Sequence, residues 1–257
     1  MKRTEAFLLD LDGTLYRGTE VIPDAPDFLR WLIETDRKYL FVTNNSSRRP
    51  EQVAEHLRRF GIPAEAEHVL TPSMVAAQYI KEQGAGNRVY VIGEEGLRSA
   101  LIEAGCEITD EQPDYVVQGI DRQFTYEKLM TASLRIQSGA IYLATNVDKA
   151  LPTEKGLMPG AGSLLAAVAT ASGCQPIVMG KPEARMIDHA LEMLGVPKER
   201  AIVVGDNLET DILAGVNAGV RTALVLSGFS KRDHVAETDG KPTIIVDSLS
   251  DLIRLVE

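Results

Sequence analysis

Phe7-Leu8-Leu9-Asp10-Leu11-Asp12-Gly13-Thr14 decides the reading of this 257-residue chain, because an apolar run ends there in two carboxylates two positions apart. In an extended strand residues i and i+2 share a face, so Asp10 and Asp12 are expected to emerge together, and Gly13 lets the chain turn away. Carboxylates held side by side repel, and they resist joint ionisation unless a cation or a shared proton compensates. The stretch therefore points to a divalent metal and to acid/base work, with a solvated Asp-Gly turn as the plain alternative.

Working outward from this stretch, short apolar runs alternate with helical patterns, the sequence form of an α/β protein with a mostly parallel sheet. Residues 15–22 read as a small hairpin turning at Gly18, Pro26 to Thr35 as a helix, and 39–43 as the second long strand. A helix over 50–60 and a short strand over 68–70 follow, then a helix that Ser73 could cap. Strands are expected at 88–92, 115–119 and 140–144, with helices near 95–104, 125–137 and 162–172. The pattern resumes with a strand at 177–179, a helix over 183–194, a strand at 201–204, a helix near 210–218, and strands at 222–226 and 243–246.

Composition narrows the class. A hydrophobic content of 44% supports a substantial packed core, and a net charge of −10 argues against general affinity for nucleic acid or an anionic membrane. A phosphorylated substrate must therefore meet positive charge that is arranged locally. Asp10 and Asp12 interrupt the apolar stretch after Met1-Lys2-Arg3, which argues against a secretory leader, and no segment has the length of a membrane span. Cys106 and Cys174 lie far apart without metal-ligand spacing and read as free, buried thiols in a reducing cytoplasm. His56, His68, His189 and His234 are scattered and read as surface or core residues.

Three further segments sit directly after predicted strands. Thr43-Asn44-Asn45-Ser46-Ser47 offers hydroxyls, amides and backbone N–H groups that suit an anion, although Ser46 or Ser47 could simply cap a helix. Gly180-Lys181-Pro182 brings an ammonium to the same level, where it could offset phosphate charge. Gly205-Asp206 through Asp211 adds two hard-oxygen donors of the kind that hold magnesium. Ligand sites in open α/β sheets lie beyond the carboxyl ends of the strands, so four polar segments in that position are poorly explained as independent turns.

In these four ordered motifs, Asp10-Leu11-Asp12-Gly13-Thr14, Thr43, Lys181 and Gly205-Asp206 with Asp211, the sequence resembles the haloacid dehalogenase superfamily of phosphohydrolases. Val42-Thr43-Asn44-Asn45-Ser46, Thr145-Asn146-Val147-Asp148 and Pro159-Gly160-Ala161-Gly162-Ser163 resemble its NagD-like, nitrophenylphosphatase-type subfamily, and the likeness runs nearly end to end. The resemblance implies a three-layer Rossmann-like core over 1–78 and 179–257, with the first strand central, and an inserted α/β cap over 79–178. It implies a Mg2+-dependent phosphatase in which Asp10 is the nucleophile, Asp12 the acid/base and Lys181 the charge partner. Metal would be held by Asp10, the Asp12 carbonyl, Asp206 and Asp211, and the phosphoryl group by Thr43 and Asn44, with Asn45 beside them.

Asn146 and Asp148 are expected to reach from the cap toward the leaving group, or else to form a turn in which Asp148 caps local backbone. Pro159-Gly160-Ala161-Gly162 lacks the full nucleotide-loop spacing and reads as a flexible loop leading into a helix. The implied substrate is a small phosphorylated metabolite such as a sugar or acid-sugar phosphate, with nitrophenyl phosphate as an artificial one. Neither nucleic acid nor membrane is an expected partner. The enzyme is expected in the cytoplasm, and a homodimer through the cap is compatible with the resemblance. A dehalogenase would need neither Asp12 nor magnesium; a phosphomutase would keep the same residues, and a phosphometabolite sensor would not need the full set.

Overall fold

A computed structural model describes residues 4–153, 156–238 and 240–257. The chain first forms β1 (Ala6–Leu9), the hairpin β2 (Tyr16–Arg17) and β3 (Glu20–Val21), α1 (Ala25–Glu34), β4 (Lys38–Val42), α2 (Pro50–Arg59) and β5 (Val69–Leu70). It continues through α3 (Pro72–Gln83), β6 (Arg88–Ile92), α4 (Glu95–Glu103), β7 (Glu107–Ile108), β8 (Tyr115–Gln118), α5 (Tyr126–Gln137) and β9 (Ile141–Ala144). Next come β10 (Ala150–Thr153), β11 (Gly156–Pro159), α6 (Ala161–Ser172) and β12 (Ile177–Val178). The last part comprises α7 (Ala184–Leu194), β13 (Ala201–Gly205), α8 (Leu213–Ala218), β14 (Arg221–Val225), β15 (Ile244–Val246) and α9 (Leu249–Val256).

These elements divide into two compact units, one of Met1–Thr43, Pro50–Leu70 and Lys181–Glu257, the other of Asn44–Arg49 and Thr71–Gly180. The second unit contains the 79–178 stretch together with residues 44–49, 71–78, 179 and 180, so α3 lies within it from Pro72 to Gln83.

In the first unit six parallel strands run in the order β15-β14-β13-β1-β4-β5, so the strand that leads into Asp10 is central. All four residues of β1 are buried, as expected of a parallel strand covered by helices on both faces. Phe7 and Leu9 join Phe28, Leu29 and Leu32 of α1, Val53 and Leu57 of α2, and Leu249 and Leu252 of α9 in one core. Burying each such side chain contributes roughly 2 kcal/mol. Helices α7 and α8 supply the third layer, where Gly215 lets α8 approach the sheet so closely that an added Cβ would lie 2.3 Å from Thr222 Cγ2.

The second unit is a separate parallel sheet in the order β12-β9-β8-β6-β7 with an antiparallel β10-β11 hairpin. Its core joins Ile92, Val116 and Tyr142 of the sheet to Ala132 and Ile136 of α5 and Val168 of α6. No described helix is long and apolar enough to cross a membrane.

Several local expectations are corrected. Thr71, not Ser73, caps α3: its Oγ1 accepts from the Met74 N–H, while Ser73 donates to the Ser46 carbonyl from inside the helix. Pro159 to Gly162 is no loose loop, since Pro159 ends β11 and α6 starts at Ala161. Cys174 is exposed and Cys106 half-buried, so neither is the buried residue expected, although both are free thiols. Helix α9, capped by Ser248 Oγ on the Asp251 N–H, and the two-residue edge strand β7 were not expected.

Candidate active site

The register of the first sheet aligns the chemistry-bearing residues. Leu9 stands opposite Val204 on one side and Phe41 on the other, so Asp10, Asp206 and Thr43 all fall within two residues of adjacent strand ends. The Asp10 N–H continues the ladder by donating to the Val204 carbonyl (2.9 Å), and the Thr43 N–H donates to the Leu70 carbonyl (3.2 Å).

Lys181, only 2% exposed, organises this end of the sheet. Its Nζ donates to Asp10 Oδ1 at 2.5 Å, Asp211 Oδ1 at 2.7 Å and the Val42 carbonyl at 2.8 Å. Asp211 reaches it because the backbone after β13 makes a wide π-type turn over Leu208–Ile212 before α8, a feature often found at functional sites. The other Asp211 oxygen accepts from the Asn207 N–H (3.1 Å). Asp206 is held by the Phe229 N–H on Oδ2 (2.6 Å) and by the Thr14 hydroxyl on Oδ1 (3.4 Å).

Asp10, Asp206 and Asp211 each offer a carboxylate oxygen within 4.8 Å of the others. Like charges at that separation repel by about 3 kcal/mol per pair at an effective dielectric near 20. Burial, reinforced by the Asp211 charge, holds the Asp10 carboxyl well above the usual carboxylate range against the opposing pull of Lys181. Burial, then Asp211, likewise pushes Asp206 up to about 7, with the Phe229 N–H opposing. Burial alone would lower the Lys181 pKa, but Asp10 and Asp211 reverse that and hold the ammonium above the ordinary lysine range. Three carboxylates against one ammonium leave a surplus of negative charge on hard oxygen donors, so these residues fit a divalent cation.

Two glycines make room for this arrangement. Gly13 has φ +92°, and an added Cβ would lie 2.3 Å from Asp206 Oδ2; at Gly228 the same atom would be 2.0 Å away. The segment Ser227 to Ser230 was missed by the sequence reading. It braces the site through Ser227 Oγ donating to the Gly13 carbonyl (2.7 Å) and Ser230 Oγ accepting from the Leu208 N–H (3.0 Å). Its signal was present, since small polar residues directly follow the 222–226 strand as they do at the other strand ends.

Asp12 does not join the three-carboxylate group. It sits on an exposed turn where its Oδ1 accepts from the Gly18 N–H at 3.4 Å. The strand stops at Leu9, so the i, i+2 argument from extended geometry does not reach Asp12. In the second unit, Asn146 Nδ2 donates to the Asn44 carbonyl (2.8 Å) and Asn44 Nδ2 to Asp148 Oδ2 (3.3 Å). Asn45 Oδ1 accepts from both the N–H and the hydroxyl of Ser47, forming a local Asx turn.

A family model described as haloacid dehalogenase-like hydrolase matches residues 7–107, and a second, HAD-hydrolase-like model matches residues 178–252. The 5'-nucleotidase YutF of Bacillus subtilis is 49% identical over the whole of both chains. An acid sugar phosphatase of Staphylococcus aureus is 43% identical, again over the whole of both. Among solved structures, a 4-nitrophenylphosphatase from Thermotoga maritima matches with a TM-score of 0.93 at 34% identity, covering 99% of this chain and 98% of that one. Full-length identity at this level, together with an acid cluster at the strand ends of a central parallel sheet, places the chain in the haloacid dehalogenase-like hydrolases as a phosphatase of NagD-like type.

Proposed function

We infer that the protein hydrolyses phosphate monoesters of small metabolites, sugar or acid-sugar phosphates foremost, with nitrophenyl phosphate as an artificial substrate. The observation that carries this reading is the buried Asp10–Lys181–Asp211 ion pair with Asp206 beside it. Asp10 attacks phosphorus, the bond from phosphorus to the ester oxygen breaks, and Asp12 gives its proton to the departing alcohol. Water then attacks the aspartyl-phosphate while Asp12 takes a proton back, releasing orthophosphate and restoring the Asp10 carboxylate.

Lys181 fixes the rotamer of Asp10 through its bond to Oδ1 and lowers the cost of ionising it. Thr43 and the peptide N–H of Asn44 hold the transferring group, with Asn45 shaping the loop that follows. Asp10, the Asp12 carbonyl, Asp206 and Asp211 would hold Mg2+, which when bound neutralises phosphoryl charge and the surplus of the carboxylates. Substrate choice resides largely in the second unit, which takes the part of the inserted cap that the resemblance implies.

A phosphate-release screen over sugar phosphates, acid-sugar phosphates and nucleoside 5'-monophosphates, with and without Mg2+, tests the reading. Release that requires Mg2+ and vanishes in Asp10→Asn supports it. No release from any monoester refutes it.

A further inference from the structure

Resting on that reading, we propose that Asn146 and Asp148 are positioning residues for the phosphate-holding segment that starts at Asn44, and that they do not discriminate between leaving groups. Asn44 follows Thr43 by one peptide bond and is the first residue of the second unit, within which Asn146 and Asp148 hold it from two sides. Asn146, 5% exposed, donates from Nδ2 to the Asn44 carbonyl at 2.8 Å, and its Oδ1 accepts from the Asp148 N–H at 3.1 Å. One amide side chain thus ties the Asn44 backbone to the Asp148 backbone. The Asp148 carboxylate closes the ring by accepting from Asn44 Nδ2.

The grip is itself anchored. The Asp148 carbonyl accepts from the Gly162 N–H (2.9 Å) at the start of α6. An added Cβ would lie 2.2 Å from the Asp148 carbonyl oxygen at Gly160 and 2.2 Å from the Val147 carbonyl oxygen at Gly162. The glycines of Pro159-Gly160-Ala161-Gly162 thereby acquire a physical reason: they bring the 147–148 backbone against the helix start. Two residues beyond Asn44, Ser46 is 1% exposed and accepts from the buried Thr145 hydroxyl at 3.2 Å, while the Ser47 carbonyl accepts from the Gly96 N–H at 3.1 Å. An added Cβ at Gly119 would lie 2.6 Å from Ser46 Oγ, and at Gly180 2.5 Å from Asn44 Oδ1. The segment is seated in a fitted groove, and its first residue is held by Asn146 and Asp148.

A group that orients a phosphate donor acts equally on every monoester, whereas a group that touches the leaving alcohol acts selectively. The assay therefore reads two quantities in Asp148→Ala, Asp148→Asn and Asn146→Ala: the inhibition constant of inorganic phosphate, and kcat/KM across at least four phosphorylated substrates of different size and charge. Expected in Asp148→Ala and Asn146→Ala is a five- to tenfold weaker phosphate inhibition constant, with the relative ranking of kcat/KM preserved within twofold. Asp148→Asn keeps an oxygen for the Asn44 amide and is expected to stay within twofold of the parent in both quantities; a carboxylate that meets substrate would be lost in it.

An unchanged phosphate constant in the alanine variants, or a tenfold change in substrate ranking in Asp148→Asn, overturns the proposal. An unaltered protein that hydrolyses no monoester would instead overturn the function on which the proposal rests, so the two failures are distinguishable.

Discussion

Replacing Lys181 by methionine keeps the aliphatic stem and removes only the ammonium. Three hydrogen bonds vanish at once, to Asp10, Asp211 and the Val42 carbonyl, in a pocket where Lys181 is 2% exposed. Breaking one side of a buried ion pair costs about 3–5 kcal/mol because the partner charge is left uncompensated. Here two carboxylates lose their partner, so the upper end applies when both are ionised. For a chain of this size the melting temperature falls by roughly 2–4 °C per kcal/mol, which predicts a drop of about 10–20 °C.

The sign of the pH dependence follows from Asp10, whose pKa is already raised in the folded protein and rises further without Lys181. A carboxyl with a raised folded pKa contributes stability that is complete below its unfolded pKa and lost as pH climbs through the folded value. The deficit of the variant must therefore be larger at pH 8 than at pH 5.5. Trp31 is the single tryptophan and packs against Phe7 in the first unit, so its fluorescence on heating in EDTA reports the unit concerned. A drop under 3 °C at pH 8, or an equal drop at both pH values, would refute the reasoning.

With Asp206 at about 7 in the metal-free protein, cation binding must displace a proton below that pH. Calorimetry should show Mg2+ affinity rising about tenfold per pH unit for each displaced proton between pH 5 and 7 and levelling off above; a flat profile contradicts it. Gly13→Ala should lower kcat/KM by roughly 100-fold by displacing the Asp206 carboxylate that an added Cβ would meet. Steady-state rates at saturating Mg2+ check this, and activity within threefold of the parent counts against it. Asp12→Asn should cost about 10²–10⁴ in kcat, yet leave the melting temperature nearly unchanged because Asp12 is exposed. A large stability loss would assign Asp12 to the fold instead.

Much of this was legible because β-strand ends are written locally. The buried runs Phe7-Leu8-Leu9 and Ile202-Val203-Val204 each stop at an aspartate region, and parallel pairing in register turns that one-dimensional pattern into the Asp10–Asp206 proximity. What could not be read depends on contacts distant in sequence. Nothing near Gly13 announces that its missing side chain accommodates Asp206, and nothing near Gly162 announces that it meets the Val147 carbonyl. Thr71 outcompetes Ser73 as a cap because Pro72 occupies the first helical position, a local cue that places the cap two residues before Ser73. Helix α9 has Ser248 and Asp251 at ordinary capping spacing, so its signal was present and went unused. The extended-strand argument failed at Asp12 for a simpler reason: the strand had already ended.

The central claim is that the Asp10 carboxylate becomes phosphorylated during turnover. Rapid acid quench of the enzyme with nitrophenyl phosphate and Mg2+, followed by mass spectrometry of the peptide spanning the first strand, tests it directly. Expected is one added phosphoryl group on Asp10 that forms and decays at rates compatible with kcat and is absent from Asp10→Asn. A phosphoryl group on any other residue, or turnover at full rate in Asp10→Asn, would contradict it.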